Sequence, residues 1–90
     1  MYWDVKVVRP LSDYCLFLEL ANGSSGIFDV KPYLHGSAFR ELVDESYFRL
    51  VRPAHYGIAW PNEQDFSYDT IYLGYSKYLT KMGNSHNKYN

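Results

Sequence analysis

Cysteine is almost missing from these 90 residues: Cys15 stands alone, so no disulfide can form within the chain. Packing must do the work of that staple, and a reducing cytoplasm is the expected setting. Long apolar runs are missing too. The longest, Cys15 to Leu18, is stopped by Glu19, far short of the ~20 residues a membrane helix needs, so no membrane partner is expected. Met1-Tyr2-Trp3-Asp4 has no basic stretch leading into an apolar one, and no secretory leader is read there. Nor is there an excess of charge of either sign. Nine Lys and Arg against ten Asp and Glu leave −1, which argues against strong polyanion binding, because that affinity grows with the number of cationic contacts.

The patterns that carry chemistry are absent as well. His35, His55 and His86 stand 20 and 31 residues apart and share no ligand spacing, so no metal is expected. Gly23-Ser24-Ser25-Gly26 lacks the Gly-Lys-Ser/Thr ending of a phosphate loop, and no nucleotide or other cofactor is expected. Asp29, Asp65 and Asp69 suggest paired carboxylates, but acid/base work needs two groups with pKa values pushed apart, and nothing in the pattern supplies that. Asp29 before Lys31-Pro32 suits a turn cap accepting from the Tyr33 or Leu34 amide, and Asp65 suits the approach to a helix N-terminus. Cys15 reads as a small strand hydrophobe rather than an exposed nucleophile. No catalytic residue is assigned.

What is present is one small, ordinary core. The composition, 47% hydrophobic and 21% charged, is that of a folded domain, and 90 residues support one core only. Trp3, Val5 and Val7 alternate with Asp4 and Lys6, the period of a half-buried strand. Leu16, Leu18 and Leu20 share one face of a second strand while Cys15 and Phe17 hold the other, which predicts a central position. Ala21-Asn22-Gly23-Ser24 turns it back into Gly26 to Val30. After Gly36-Ser37, Phe39, Leu42 and Val43 predict a short helix interrupted at Asp44-Glu45-Ser46. Phe48, Leu50 and Arg52 then alternate as a strand. Ala54-His55-Tyr56-Gly57 predicts a second hairpin that ends at Trp60-Pro61. From Ser67 as N-cap, Ile71, Tyr75, Tyr78 and Met82 form a helical stripe, with Tyr68, Tyr72 and Leu79 as a second line. Gly74 weakens that helix and could end it near Leu73. The expected fold class is a small single-domain α+β fold: three-stranded antiparallel start, short helix, second β-hairpin and C-terminal helix. Residues 1–75 form the domain, with −4 of charge, and residues 76–90 a basic tail carrying Lys77, Lys81 and Lys88 and no acid.

These residues have a likeness. Leu16, Leu18, Asn22-Gly23, Phe28-Asp29-Val30, Pro32-Tyr33-Leu34, Phe39, Leu42, Tyr47-Phe48, Gly57-Ile58, Trp60-Pro61-Asn62, Asp65 and Thr70-Ile71-Tyr72 resemble the prokaryotic family called domain of unknown function 2442. The resemblance covers roughly residues 3 to 73. It implies a small α+β fold of three strands, a helix and a hairpin, found alone or ahead of a helix-turn-helix module and often encoded near toxin–antitoxin genes. It implies no established activity. The segment after Leu73 departs from the family, and its 17 residues are too few for a helix-turn-helix domain, which argues against a transcription factor.

One count stands out. Seventeen residues are aromatic, ten of them Tyr; at about 150–250 Å² buried per ring, roughly eight would fill so small a core. The remainder should meet water, either lying on their own domain or offered to a partner, and Tyr is enriched at interfaces. Tyr68, Tyr72, Tyr75, Tyr78 and Trp60 are the candidate partner-binding residues, although a Trp-Pro pair also suits the end of a core. The expectation is a non-enzymatic interaction module engaging another protein or a second copy of itself, in an antitoxin-like or inhibitory role. A single-stranded nucleic acid stacked on the tyrosines with Lys77 and Lys81 nearby is the alternative, and a small enzyme of unknown reaction a third.

Overall fold

Two three-stranded antiparallel sheets share one hydrophobic cluster, and short helical segments close it. A computed structural model describes residues 4–74. The first sheet has the order β1 (Val5–Pro10), β2 (Cys15–Leu20), β3 (Ser25–Asp29). The second has β4 (Arg52–Ala54), β5 (Gly57–Ala59), β6 (Asp65–Ser67). The α+β class, the three-stranded start and the second hairpin stand as expected.

Alternation decides which face of the first sheet meets the core. In β2, Leu16, Leu18 and Leu20 are fully buried, while Cys15, Phe17 and Glu19 are half-buried on the outer face. The strand is central, as expected, but only one of its faces is sealed. The β2–β3 turn is tied locally: Asn22 Oδ1 accepts from the Ser24 amide at 3.0 Å, and Gly23 takes φ of 95°. β1 is bulged between Val5 and Val7, which spoils simple alternation along it.

Three segments depart from the expected pattern. Ser37–Val43 is a 3₁₀ helix. At three residues per turn Phe39 and Leu42 fall in line, Leu42 fully buried, whereas Val43 rotates outward and is 51% exposed. Glu45–Phe48, read as turn and strand, is instead one turn of helix, α1, because Asp44 caps it, its Oδ1 accepting from Ser46 N at 3.0 Å. Asp65–Ser67, read as the approach to a helix, is a third strand that pairs Ile58 with Phe66 and buries that ring. The C-terminal helix, α2, begins at residue 68 and is helical through residue 74, with Ile71 fully buried. Tyr75, Tyr78, Met82 and the expected tail 76–90 lie outside the described residues.

Trp60 closes the core from the end of β5. Its ring lies 6.0 Å from Phe48 and 5.9 Å from Phe66, and its indole N–H donates to the Phe48 carbonyl at 2.8 Å. The buried polar atom is thereby satisfied.

Candidate interaction surface

The β4–β5 turn and the start of α2 bring three tyrosines into a row. Tyr56 occupies the turn with φ of 61°, a left-handed conformation uncommon for a residue with a side chain, and Gly57 after it lets the β6 backbone come close. The Tyr68 amide donates to the Tyr56 carbonyl at 2.7 Å, which fixes the start of α2 beside that turn. Tyr72 follows Tyr68 by one helical turn. The ring centroids are 6.0 Å apart for Tyr56–Tyr68 and 5.6 Å for Tyr68–Tyr72, the latter pair nearly parallel at 21°. Tyr68 also packs on the core; Tyr72 is 45% exposed, and Leu73 beside it is 75% exposed. The ladder is therefore anchored through half-buried Tyr68, and its exposed end is Tyr72 with Leu73. Its acid is built in: Tyr56 OH donates to Asp69 Oδ1 at 3.2 Å, and burial followed by that bond raises the Tyr56 phenol above its ordinary pKa.

Of the expected binding residues, Tyr68 and Tyr72 are brought together here. Tyr75 and Tyr78 lie outside the described residues. Trp60 is corrected: with no exposed surface it is a core residue and cannot present its ring to a partner. Tyr56 and Leu73 were not anticipated. Tyr56 is 12 residues from Tyr68 and joins it only through the fold, whereas Leu73 was visible as a large apolar residue lying off the Ile71 stripe.

The other described tyrosines show where the surplus rings go. Tyr14, Tyr33 and Tyr47 are half-buried against the cluster. Tyr14 OH donates to the Val43 carbonyl. Tyr47 OH donates to Gln64 Oε1 at 2.6 Å and accepts from the Asn62 amide at 2.8 Å. Rings lie on the domain while hydroxyls bond at its rim, so most of these phenols knit the fold rather than await company.

Asp13, Cys15, Asp29 and Lys31 form a cluster of reactive types. Lys31 Nζ lies 3.0 Å from Asp29 Oδ1, 3.1 Å from Asp13 Oδ2 and 3.7 Å from Cys15 Sγ. Asp29 and Asp13 hold the ammonium well above the usual lysine range, so Lys31 stays charged and is no nucleophile. Asp29 does cap its turn, but through the Lys31 amide at 2.9 Å rather than Tyr33 or Leu34. No hydrogen bond or ion pair among the described residues joins any two of Asp29, His35, His55 and Asp65, and no group of three or more His, Cys, Asp or Glu there could hold a metal ion. A shallow cleft of about 150 Å³ between Leu11, Tyr14, Glu45 and Arg49 contains none of those four.

Residues 5–76 match the family described as a protein of unknown function, DUF2442. The chain belongs to this family. No curated protein and no solved structure matches it. Several of the residues by which this DUF2442 chain resembles its family serve the fold. Tyr33 stacks on Phe28 at 5.9 Å, Trp60 fills the core, and Asn62 donates to Glu41 at 2.8 Å beside Gln64, which donates to the same carboxylate at 2.8 Å. These last bonds tie the Ser37–Val43 helix to the β5–β6 turn. No helix among the described residues is long and apolar enough to cross a membrane.

Proposed function

We propose that this DUF2442 chain is a non-enzymatic protein-interaction module of the cytoplasm that acts by binding another protein, in the manner of an antitoxin or an inhibitor. The observation that supports this reading is the ladder Tyr56–Tyr68–Tyr72 with Leu73 beside it: flat rings set by contact with one another and, at Tyr68, by the core, next to a large aliphatic side chain left in water. Rings already immobilised lose little entropy on docking, which is what makes aromatic residues effective at interfaces. The acids flanking the ladder, Asp69 and Asp4, disfavour a single-stranded nucleic acid there, since such platforms pair their rings with cations.

The test is co-expression of the 90-residue chain with the product of the adjacent gene, using wild type and the double variant Tyr72→Ser, Leu73→Ser. Both positions are exposed, so the variant should keep its circular dichroism and melting temperature while capture falls at least tenfold. Equal capture by the folded variant, or no complex with the wild type, overturns the reading.

A further inference from the structure

We propose that the β3 edge pairs with the β3 edge of a second copy, joining two three-stranded sheets into one six-stranded antiparallel sheet about a twofold axis at Ile27. The proposal goes beyond the ladder reading: it assigns a second surface, on the first sheet, to a partner of a different kind, a copy of this chain.

The phase of the hydrogen bonds comes first. Leu20 N donates to Ser24 O at 2.8 Å and Val30 N to Tyr14 O at 3.0 Å. With Leu16 opposite Phe28 and Leu18 opposite Gly26, the even-numbered residues of β3 exchange bonds with β2. The amides and carbonyls of Ser25, Ile27 and Asp29 therefore point away from β2, and none of them is bonded among the described residues. Three outward pairs centred on Ile27 form a self-complementary row. A second β3 run antiparallel sets Ile27 against Ile27 and Ser25 against Asp29 twice, and each such pair exchanges two bonds, about six in all.

Side chains agree with that register on both faces. On the outer face Phe17 lies opposite Ile27, and both are half-buried, so the twofold extends them into a stripe Phe17, Ile27, Ile27, Phe17 across the joined sheets. Ser25 would sit across from Asp29, a hydroxyl facing a carboxylate. Asp29 already carries the Lys31 ammonium at 3.0 Å, so its charge is balanced before the copies meet. On the inner face Gly26, without a side chain, would face Phe28, the aromatic-over-glycine pairing that edge glycines favour.

Among the described residues the other edges are guarded more heavily than this one. β1 carries the bulge at Val5/Val7, Lys6, Arg9 and Pro10, and packs beside β4. β4 contains Pro53, and β6 is three residues long with Asp65 and Ser67 exposed. β3 has five residues with no proline, no lysine and no bulge, and its one charge, Asp29, is paired with Lys31.

Sedimentation of the full chain from about 5 to 300 µM tests the proposal. The expected result is a concentration-dependent shift toward twice the 10.6 kDa chain mass. Ile27→Pro is the decisive variant: the amide it removes points outward, so the β2–β3 ladder stays intact while the central pair is lost, and edge strands tolerate proline there. Dimerisation should weaken at least tenfold in Ile27→Pro and in Ile27→Lys, and be unchanged in Tyr72→Ser, Leu73→Ser. Hydrogen exchange on the wild type gives a readout that needs no variant: the Ser25, Ile27 and Asp29 amides should become protected as concentration rises. A monomer throughout, unprotected odd-numbered amides, or a dimer that Ile27→Pro leaves intact overturns the proposal. A dimer lost only in the Tyr72, Leu73 variant moves self-association to the ladder, and capture of the neighbouring protein by Ile27→Pro reports on the broader reading separately.

Discussion

Gly74 lies against the ring of Phe28: a Cβ built on Gly74 would fall 3.0 Å from both Cδ1 and Cε1. Phe28 has nowhere to go, being 1% exposed and flanked by Tyr33 and Phe66 at 5.9 and 5.3 Å. The missing side chain is what lets α2 lie down on the first sheet and carry Tyr68 and Tyr72 to the surface as a fixed pair.

Gly74→Ala sets two effects against each other. Alanine favours helix by about 1 kcal/mol, whereas a methyl forced into a packed site costs about 1–3 kcal/mol. Because the ring it meets is held on both sides, the clash wins. The expected outcome is a net loss of about 1 kcal/mol, read as a melting temperature roughly 4–8 °C lower. A rise would mean that the helix leaves Phe28 at no cost.

Gly57 has less room still. A Cβ there would lie 2.1 Å from the Phe66 carbonyl oxygen, a backbone atom of the neighbouring strand. Gly57→Ala must part β5 from β6 or twist the turn that holds Tyr56. The expected cost is about 3 kcal/mol, the upper end for overpacking, seen as a lowered urea midpoint with unchanged slope. An unchanged midpoint would show that β6 does not press on β5.

These two glycines show what could be read in the chain beforehand. Gly57 was legible as a turn former because the residues around it, Ala54-His55-Tyr56, carry a local signal. Gly74 was legible only as a weakness in a helix, since its purpose depends on Phe28, 46 residues away in sequence. The same division runs through the fold. β1, β2 and β3 follow from alternation and an Asn-Gly turn, all local, whereas β6 is three residues whose strand character comes from pairing with β5. Asp44 was seen as a break when it is a cap, because one acidic side chain serves both readings. At the candidate surface Tyr68 and Tyr72 could be paired by helical spacing, but Tyr56 joins them only once a hairpin turn is folded beside the helix. The count of tyrosines pointed to exposure, while Tyr14 and Tyr47 show the commoner solution of a ring laid flat with its hydroxyl bonded at the rim.

Trp60→Phe separates the ring from its polar handle. The indole N–H is the donor to the buried Phe48 carbonyl at 2.8 Å. Phenylalanine keeps an aromatic in the core but leaves that carbonyl alone, which costs about 1–3 kcal/mol, with a further loss for the smaller ring. Thermal unfolding should register the sum. Near-neutral behaviour would indicate that water reaches the carbonyl.

Tyr56 makes the ladder sensitive to alkali. Burial first, and donation to Asp69 second, raise its phenol above the ordinary value of 10. A raised folded value means that the native state prefers the neutral form, so the stability it contributes is complete below pH 10 and is lost as pH climbs through the raised value. Ultraviolet titration of the native chain should therefore show a tyrosinate component appearing later than that of free tyrosine, and Tyr56→Phe should remove it. Asp69→Asn should move the component only part of the way back toward 10, because burial, the larger cause, remains. Full return in Asp69→Asn would assign the shift to the carboxylate alone and place the ring in open water, contrary to its packing on Tyr68.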